Sequence, residues 1–300
     1  MRLDLFLAKK YPGTSRAIFQ KLIDAERVEI NGAKAKGASQ NVAASDDVKV
    51  FIPHQLTFAA EIADFVKNVI FEDENVVVVN KPAGILTHMK GGIADEFTVA
   101  DFVKSRMENS DDVFSKTNRP GIVHRLDRAT SGVLIAAKNK EAQSLLQNQF
   151  QERKAHKTYV ALVEKAPKIG SAQIDLPIGR NPRFPSEFKI DPNGKSAVTD
   201  YKTLEVFNDG SALVELKPLT GRTHQLRVHL SHIGAPIVGD AVYGSGETGD
   251  RMFLHAFELE ITIPKTGRQT ENQRRTFRAE LPQDFQDEIA RRGGDLTKVL

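Results

Sequence analysis

The chain contains no cysteine. Disulfides, thiolate catalysis and cysteine-ligated zinc are therefore excluded, and a reducing compartment fits. No apolar run is long enough to span a bilayer. The amino-terminal stretch MRLDLFLAKKYPGT lacks the apolar core of a secretory signal, so a cytoplasmic protein with no membrane partner is expected. No internal repeat and no low-complexity tract is visible. What is present is an ordinary globular composition, 40% hydrophobic and 27% charged over 300 residues. That length fits one large domain, or a small one followed by a larger one. Charge is uneven along the chain. Of 42 Lys/Arg and 39 Asp/Glu, nine and six fall within residues 1–60, leaving 33 of each in the remainder. A small basic module ahead of a neutral body points to an anionic partner, nucleic acid first.

The centre of the chain is GIVHRLDRATSGVLIAAK, Gly121 to Lys138. Asp127 stands between Arg125 and Arg128, small residues run from Ala129 to Gly132, and Val133–Ala137 is an apolar run of strand length. Asp127 is thus expected on a loop that feeds a buried strand, where reactive side chains are commonly held. Two flanking arginines favour an ionised carboxylate, which suits a nucleophile or general base better than a general acid. The same spacing also fits a structural Asp paired to a neighbouring arginine.

Residues 1–53 read as a compact basic module. LDLFLAKK and SRAIFQKLIDAERV have helical periodicity, with Ile18, Leu22 and Ile23 on one face, Arg16 and Lys21 elsewhere, and Ser15 as N-cap. Asn31-Gly32 is a hairpin turn signal between short strand-like runs. Residues 54–68, of mixed polarity and without a clear period, read as a linker. A catalytic domain is expected over 69–284 and a tail over 285–300, the latter a helix that frays. Val76–Val79 has the signature of a buried strand ending in the turn Asn80–Gly84. Lys81 in that turn is a candidate phosphate contact or a solvated lysine. Phe97–Met107 reads as a helix, His88–Gly92 and Glu108–Arg119 as loose polar stretches, and Asn139–Arg153 as an amphipathic helix. Lys157–Val163, Ile174–Ile178, Ala197–Phe207, Ala212–Leu216 and Met252–Pro264 read as strands. Leu254, Phe257 and Leu259 are expected behind the site. Helices and hairpins in this mixed order predict an α+β fold around a mixed, largely antiparallel sheet.

A last cluster runs from Leu219 to Gly244. Thr223 is a candidate N-cap, Leu226, Leu230 and Ile233 share a helical face, and Gly234 is a stop signal. His224, His229 and His232 invite a metal reading. His224 and His229, five apart, would point about 140° apart on a helix, and no HExxH-type ligand set accompanies them. No metal site is assigned. A metal-dependent phosphohydrolase built on these Asp and His clusters is the weaker reading.

Several of these segments carry a family pattern. HRLDRATSG resembles HRLDxxTSG, the catalytic motif of the RluA family of RNA pseudouridine synthases. VVVVNKPAG is similar to that family's KPxG strand and turn, KTYVALV to its second active-site motif, NGKSAVTDYKTLE to its GKxAxTxY segment, and GRTHQLRVHL to its GRTHQIRVHL motif. HMKGG departs from a segment that there often contains proline. The order RLDxFLA, SRxxxQKLIxxxxVxING and a closing DDVKV is similar to an RNA-binding module of the ribosomal protein S-four type. The resemblance implies a small RNA-binding module followed by a pseudouridine synthase domain. It implies isomerisation of uridine with no cofactor, RNA as partner (large-subunit ribosomal RNA first) and no obligate protein partner. Asp127 would attack the sugar or remove its 2′ proton, Tyr159 would stack on the uracil, and Arg227 would pair with Asp127. Arg125 would fill the space that the flipped base vacates. Arg2, Ser15, Arg16, Lys21 and Asn31 in the module, and Lys81, Lys195 and Arg222 in the body, would contact RNA, with Thr199 beside Lys195. The alternative is a non-catalytic RNA-binding or ribosome-assembly protein.

Overall fold

The computed structural model describes residues 1–11, 16–51, 58–89, 96–107, 119–247, 250–267, 269–295 and 297, without the side chains of Ile18 and Lys21. Ser15, the side chain of Lys21, and most of Glu108–Arg119 therefore lie outside the described residues. The amino-terminal module comprises α1 (Leu3–Lys10), α2 (Arg16–Asp24), β1 (Val28–Ile30), β2 (Ala33–Lys34) and β3 (Val48–Val50). Its three strands pair in the order β2-β1-β3. Asn31 and Gly32 join β1 to β2 with both φ angles positive, at 52° and 81°, the geometry that Asn-Gly favours in a tight hairpin. Leu3, Leu7, Phe19, Leu22, Ile23, Val28 and Val48 close a separate small core.

The body contains α3 (Ala59–Phe65), β4 (Val69–Glu72), β5 (Val76–Lys81), α4 (Val99–Ser105), β6 (Ser131–Ala137), α5 (Lys140–Gln151), β7 (His156–Val163), β8 (Ser171–Asp175), β9 (Ile178–Arg180), β10 (Phe188–Ile190), β11 (Val198–Val206), β12 (Ala212–Pro218), α6 (Gln225–His232), β13 (Leu254–Ile263), β14 (Gln273–Arg278) and α7 (Gln283–Arg291). The main sheet runs β4-β5-β6-β13-β7-β12-β11-β8, with β14 added along β13. Its pairings are antiparallel except β6 with β13, the mixed sheet that the pattern predicts.

Alternation along the strands covers both faces. Val77, Val79, Leu134 and Ala136 meet Phe65 of α3 and Phe102 of α4. Val76, Val78, Val133 and Ile135 meet Ala142 and Leu146 of α5. Ala161, Val214 and Leu216 pack on Leu226 and Leu230 of α6. Val160, Leu162 and Leu213 pack on Phe285 and Ile289 of α7.

Three expectations change. Residues 59–68, expected as linker, form α3 and a 3-10 turn, and Phe65 is buried against α4. One inward aromatic anchors this short helix, too little to give a visible period. The carboxy-terminal helix does not behave as a fraying tail: Phe285 and Ile289 are fully buried. The run Ile174–Ile178 is split between β8 and β9, because Pro177 interrupts it. Among the described residues, no helix is long and apolar enough to cross a membrane.

Candidate active site

The register of the sheet assembles the site. Gly132, at the start of β6, pairs with Ala256 of β13; Ala256 pairs with Tyr159 of β7; Tyr159 pairs with Leu216 of β12. This row sets the loop that carries Asp127 beside Tyr159, although the two are 32 positions apart in sequence. The row needs glycine. Gly132 has φ +118°, and a Cβ there would lie 2.2 Å from the Ala256 carbonyl oxygen, so only a residue without a side chain permits this strand approach.

The loop itself is cradled by the turn after β5. The Thr87 hydroxyl donates to the Leu126 carbonyl at 2.8 Å, and the Gly84 amide donates to the Arg128 carbonyl at 2.8 Å. Lys81 completes the cradle. Its ammonium donates to the carbonyls of Pro82 and Ile85, each at 2.8 Å, and of Arg128 at 3.2 Å. The side chain is fully buried, and burial pushes its pKa down to about 7. Lys81 therefore has no surface on which to meet a phosphate, and the reading of it as an RNA contact is corrected to that of a loop pin.

Asp127 opens into a cleft of about 520 Å³, lined also by His124, Arg125, Thr130, Phe150, Arg153, Lys157, Tyr159, Arg222, His224 and Arg227. Arg128 does not flank the carboxylate; it turns away into a bidentate pair with Glu96 at 2.6 and 2.8 Å. The cationic neighbour of Asp127 is Arg227, whose Nη1 lies 3.5 Å from Oδ2, with His224 Nε2 at 3.9 Å. The tightest partner of Arg227 is Asp240: Nε and Nη2 donate to its two carboxylate oxygens, both at 2.7 Å. Asp240 is buried, and burial opposes its charge. The Arg227 hydrogen bonds and the amides of Val242 and Tyr243 outweigh that and hold its carboxyl below the usual range. Tyr159 lies on the cleft wall, and burial, reinforced by the Asp127 charge, pushes its phenol well above the ordinary value. It is a neutral hydroxyl with an apolar ring face.

His124 is neutral. Its Nε2 accepts the Ile135 amide at 3.0 Å, its ring stacks on Phe150 at 4.5 Å, and burial, aided by the Lys157 charge, pushes its pKa down to about 3. Lys157 is pushed down to about 8 by burial. Arg125 is exposed at the cleft edge. Arg222 lines the cleft and anchors its Nε on the Ser196 carbonyl.

Other candidates lie elsewhere. Lys195 is exposed on the short segment that bridges to Ile178 and does not line the cleft. Thr199 is fully buried and bonded to Gln225 and His229, so it lines no RNA path. His229 bonds Thr199 and the Leu176 carbonyl, a packing role. Thr223 is not the N-cap of α6. His224 precedes the helix in the left-handed region, and the Gln225 side chain instead gathers the Thr220 hydroxyl and the Arg222 amide. Leu254 lines the cleft, whereas Phe257 faces α7 and Leu259 faces α5.

In the module, Arg2 and Arg16 are half-exposed and share the buried carboxylate of Asp4, with Gln20 as a third donor. Asn31, which is exposed, donates to Asp46 and accepts from the Asp47 amide, so it secures the hairpin. Asp4, Thr87, Asp240, Arg153 and Lys157 were missed from the sequence. Of these, Asp4 had a signal, an acid set in an otherwise apolar face of α1.

A family model for RNA pseudouridylate synthase matches residues 75–232. The chain belongs to the RNA pseudouridylate synthase family. A model for the S4 domain matches residues 1–48, so the synthase domain follows an RNA-binding type of module. The chain is 38% identical over 246 residues to an uncharacterized RNA pseudouridine synthase of Aquifex aeolicus, covering 81% of this chain and 77% of that one. It is 36% identical over 279 residues to a ribosomal large subunit pseudouridine synthase D of Nitrosomonas europaea, covering 89% and 78%. Human RNA pseudouridylate synthase domain containing 4 superposes with a TM-score of 0.59 at 25% identity, over 77% of this chain and 95% of that one. This synthase is thus an isomerase that acts on RNA, and the RluA-type resemblance of its motifs stands.

Proposed function

We propose that the protein isomerises uridine to pseudouridine in large-subunit ribosomal RNA in the cytoplasm, with Asp127 acting on the sugar of the target nucleotide. The observation that carries this reading is the convergence of Asp127, Tyr159 and Arg227 on one cleft from three distant segments. The bond from N1 to C1′ breaks, the uracil turns, C5 bonds C1′, and the proton lost from C5 is balanced by one gained at N1. Nothing enters or leaves, so no external group is consumed. Asp127 starts the exchange by attack on C1′ or by removal of the 2′ proton. The target base must first leave its stack, at a cost of a few kcal/mol. Tyr159 would offset part of this by stacking on it, worth about 1–3 kcal/mol, and Arg125, exposed at the cleft edge, would fill the gap. Arg2 and Arg16, oriented by Asp4, would meet RNA phosphates. The restriction to large-subunit RNA is supported by the name of the Nitrosomonas relative.

The test is pseudouridine mapping of total RNA from cells lacking the native copy, complemented with wild type or Asp127→Asn. Sites in large-subunit RNA that return only with wild type are expected. Full modification with Asp127→Asn would remove Asp127 from the chemistry, and sites confined to another RNA would overturn the substrate.

A further inference from the structure

Arg227 is held on every side but one. Asp240 takes Nε and Nη2 in a fork, both at 2.7 Å. The guanidinium lies over the Tyr243 ring, 5.0 Å from its centroid. The remaining amino group, Nη1, faces Asp127. Asp240 is in turn fixed from behind, because its Oδ1 also accepts the amides of Val242 and Tyr243 at 2.9 and 3.1 Å. The turn that carries it is closed by Gly239, whose φ is +76° and whose Cβ would meet the Arg251 carbonyl at 2.0 Å. A second arm reaches the same place. The Tyr243 hydroxyl accepts the Phe188 amide at 2.8 Å and lies 2.9 Å from His224 Nδ1, while His224 Nε2 lies 3.9 Å from Asp127.

A planar guanidinium gripped along one edge by a carboxylate has one orientation, since the bidentate fork fixes its plane. A stem with several rotatable bonds would otherwise let Nη1 swing. The 3.5 Å separation from Asp127 is too long for a strong hydrogen bond. Asp127 therefore does not itself hold Arg227 in place; Asp240 does.

We propose that Asp240 is a positioning residue: it fixes the plane of Arg227 so that one amino group faces Asp127, and it acts on turnover only through Arg227. This rests on the reading of the site as the isomerisation centre.

The experiment compares wild type, Asp240→Asn, Asp240→Glu, Arg227→Gln and the double variant Asp240→Asn/Arg227→Gln. Each is assayed on a large-subunit RNA transcript well below its melting temperature, with kcat and KM separated. A side-chain ¹⁵N spectrum of the arginines is recorded without RNA. The expected result for Asp240→Asn is a kcat about 100-fold lower with KM within about twofold, the pattern of an interaction made in the transition state. The double variant should be no slower than Arg227→Gln alone, Asp240→Glu should recover part of the loss, and the Arg227 Nε–H signal should broaden or move in Asp240→Asn. Multiplied losses in the double variant would overturn the proposal, as would a raised KM with unchanged kcat, or an unmoved Arg227 signal. The spectrum does not depend on turnover. If wild type leaves the transcript unmodified, the substrate assignment fails while the spectrum still decides whether Asp240 holds Arg227.

Discussion

Replacing Lys81 by Met separates two roles that the sequence alone leaves open. In the structure the ammonium donates to three carbonyls, two at 2.8 Å and one at 3.2 Å. Hydrogen bonds from a charged donor contribute about 1.5–3 kcal/mol each, so roughly 5–9 kcal/mol of attraction is removed. Burial opposes the charge and pushes the ammonium pKa down to about 7, so the net loss is smaller than that sum. Met fills similar volume but takes the donor from the Pro82 and Ile85 carbonyls, while the Arg128 carbonyl keeps the Gly84 amide. A net loss of about 2–4 kcal/mol is expected, in line with breaking a buried hydrogen-bonded charge. Urea unfolding reads that loss directly. RNA binding at several salt concentrations supplies the contrast, because a lysine on a phosphate removes close to one unit from the slope of log K against log salt. Lowered stability with an unchanged salt slope is expected. Unchanged stability with a slope reduced by about one would refute the assignment of Lys81 as a loop pin.

Three further outcomes follow from the same geometry. His124 is neutral when folded, with its pKa pushed down to about 3, whereas an unfolded histidine binds a proton below about 6.5. The unfolded chain thus holds more protons between those values, and stability is lost as pH falls through that window. Urea midpoints at pH 7.5, 5.5 and 4.5 should fall less steeply in His124→Gln than in wild type, and parallel curves would count against the buried neutral imidazole. Gly132→Ala places a methyl against the Ala256 carbonyl at a positive φ and should cost about 2–4 kcal/mol. Thermal unfolding within a degree of wild type would show that the strands can part there. Arg153→Ala at the cleft edge should reduce the salt slope of RNA binding by about 0.7–0.9, and a slope equal to that of wild type would place the RNA strand elsewhere.

The sequence made the candidate site legible because each residue sits in a dense local pattern: Asp127 in HRLDRATSG, Tyr159 in an alternating strand, Arg227 on a helix with marked ends. The Asn31-Gly32 turn and α5 were legible for a similar reason, since one short signal decides each. The misses are partners made by tertiary contact. Asp240 lies in a Gly-Asp turn 13 residues beyond Arg227, and an acid in a turn looks solvated until a guanidinium is brought to it. Lys81 looks solvated beside Pro82 and Gly84, yet the Asp127 loop folds over it and supplies the Arg128 carbonyl. Arg128, which sequence proximity assigns to Asp127, prefers Glu96. Arg128 lies inside a turn closed by the Thr130 amide on the Asp127 carbonyl, which sends its side chain away from the carboxylate, so adjacency overstated that pair.

The charge lining the cleft explains how one small site can serve a long polymer. Asp127 is the sole acid among its described lining residues, against the cations Arg125, Arg153, Lys157, Arg222 and Arg227. A uracil ring carries no charge and needs none of these for its own sake. Arg227 is already committed to Asp240 and Asp127, and Lys157 is largely desolvated. That leaves Arg125 and Arg153, both exposed, and the part of the Arg222 guanidinium beyond its Nε bond to Ser196 as the groups disposed to meet an anion. Cations at a rim attract phosphates on either side of an extruded nucleotide and add little for a nucleoside that has none. The floor is correspondingly quiet: a neutral His124, a neutral Tyr159 and an apolar Leu254. On the proposed reading, binding strength would come from the backbone of the RNA and chemistry from its base and sugar, around the single carboxylate of Asp127.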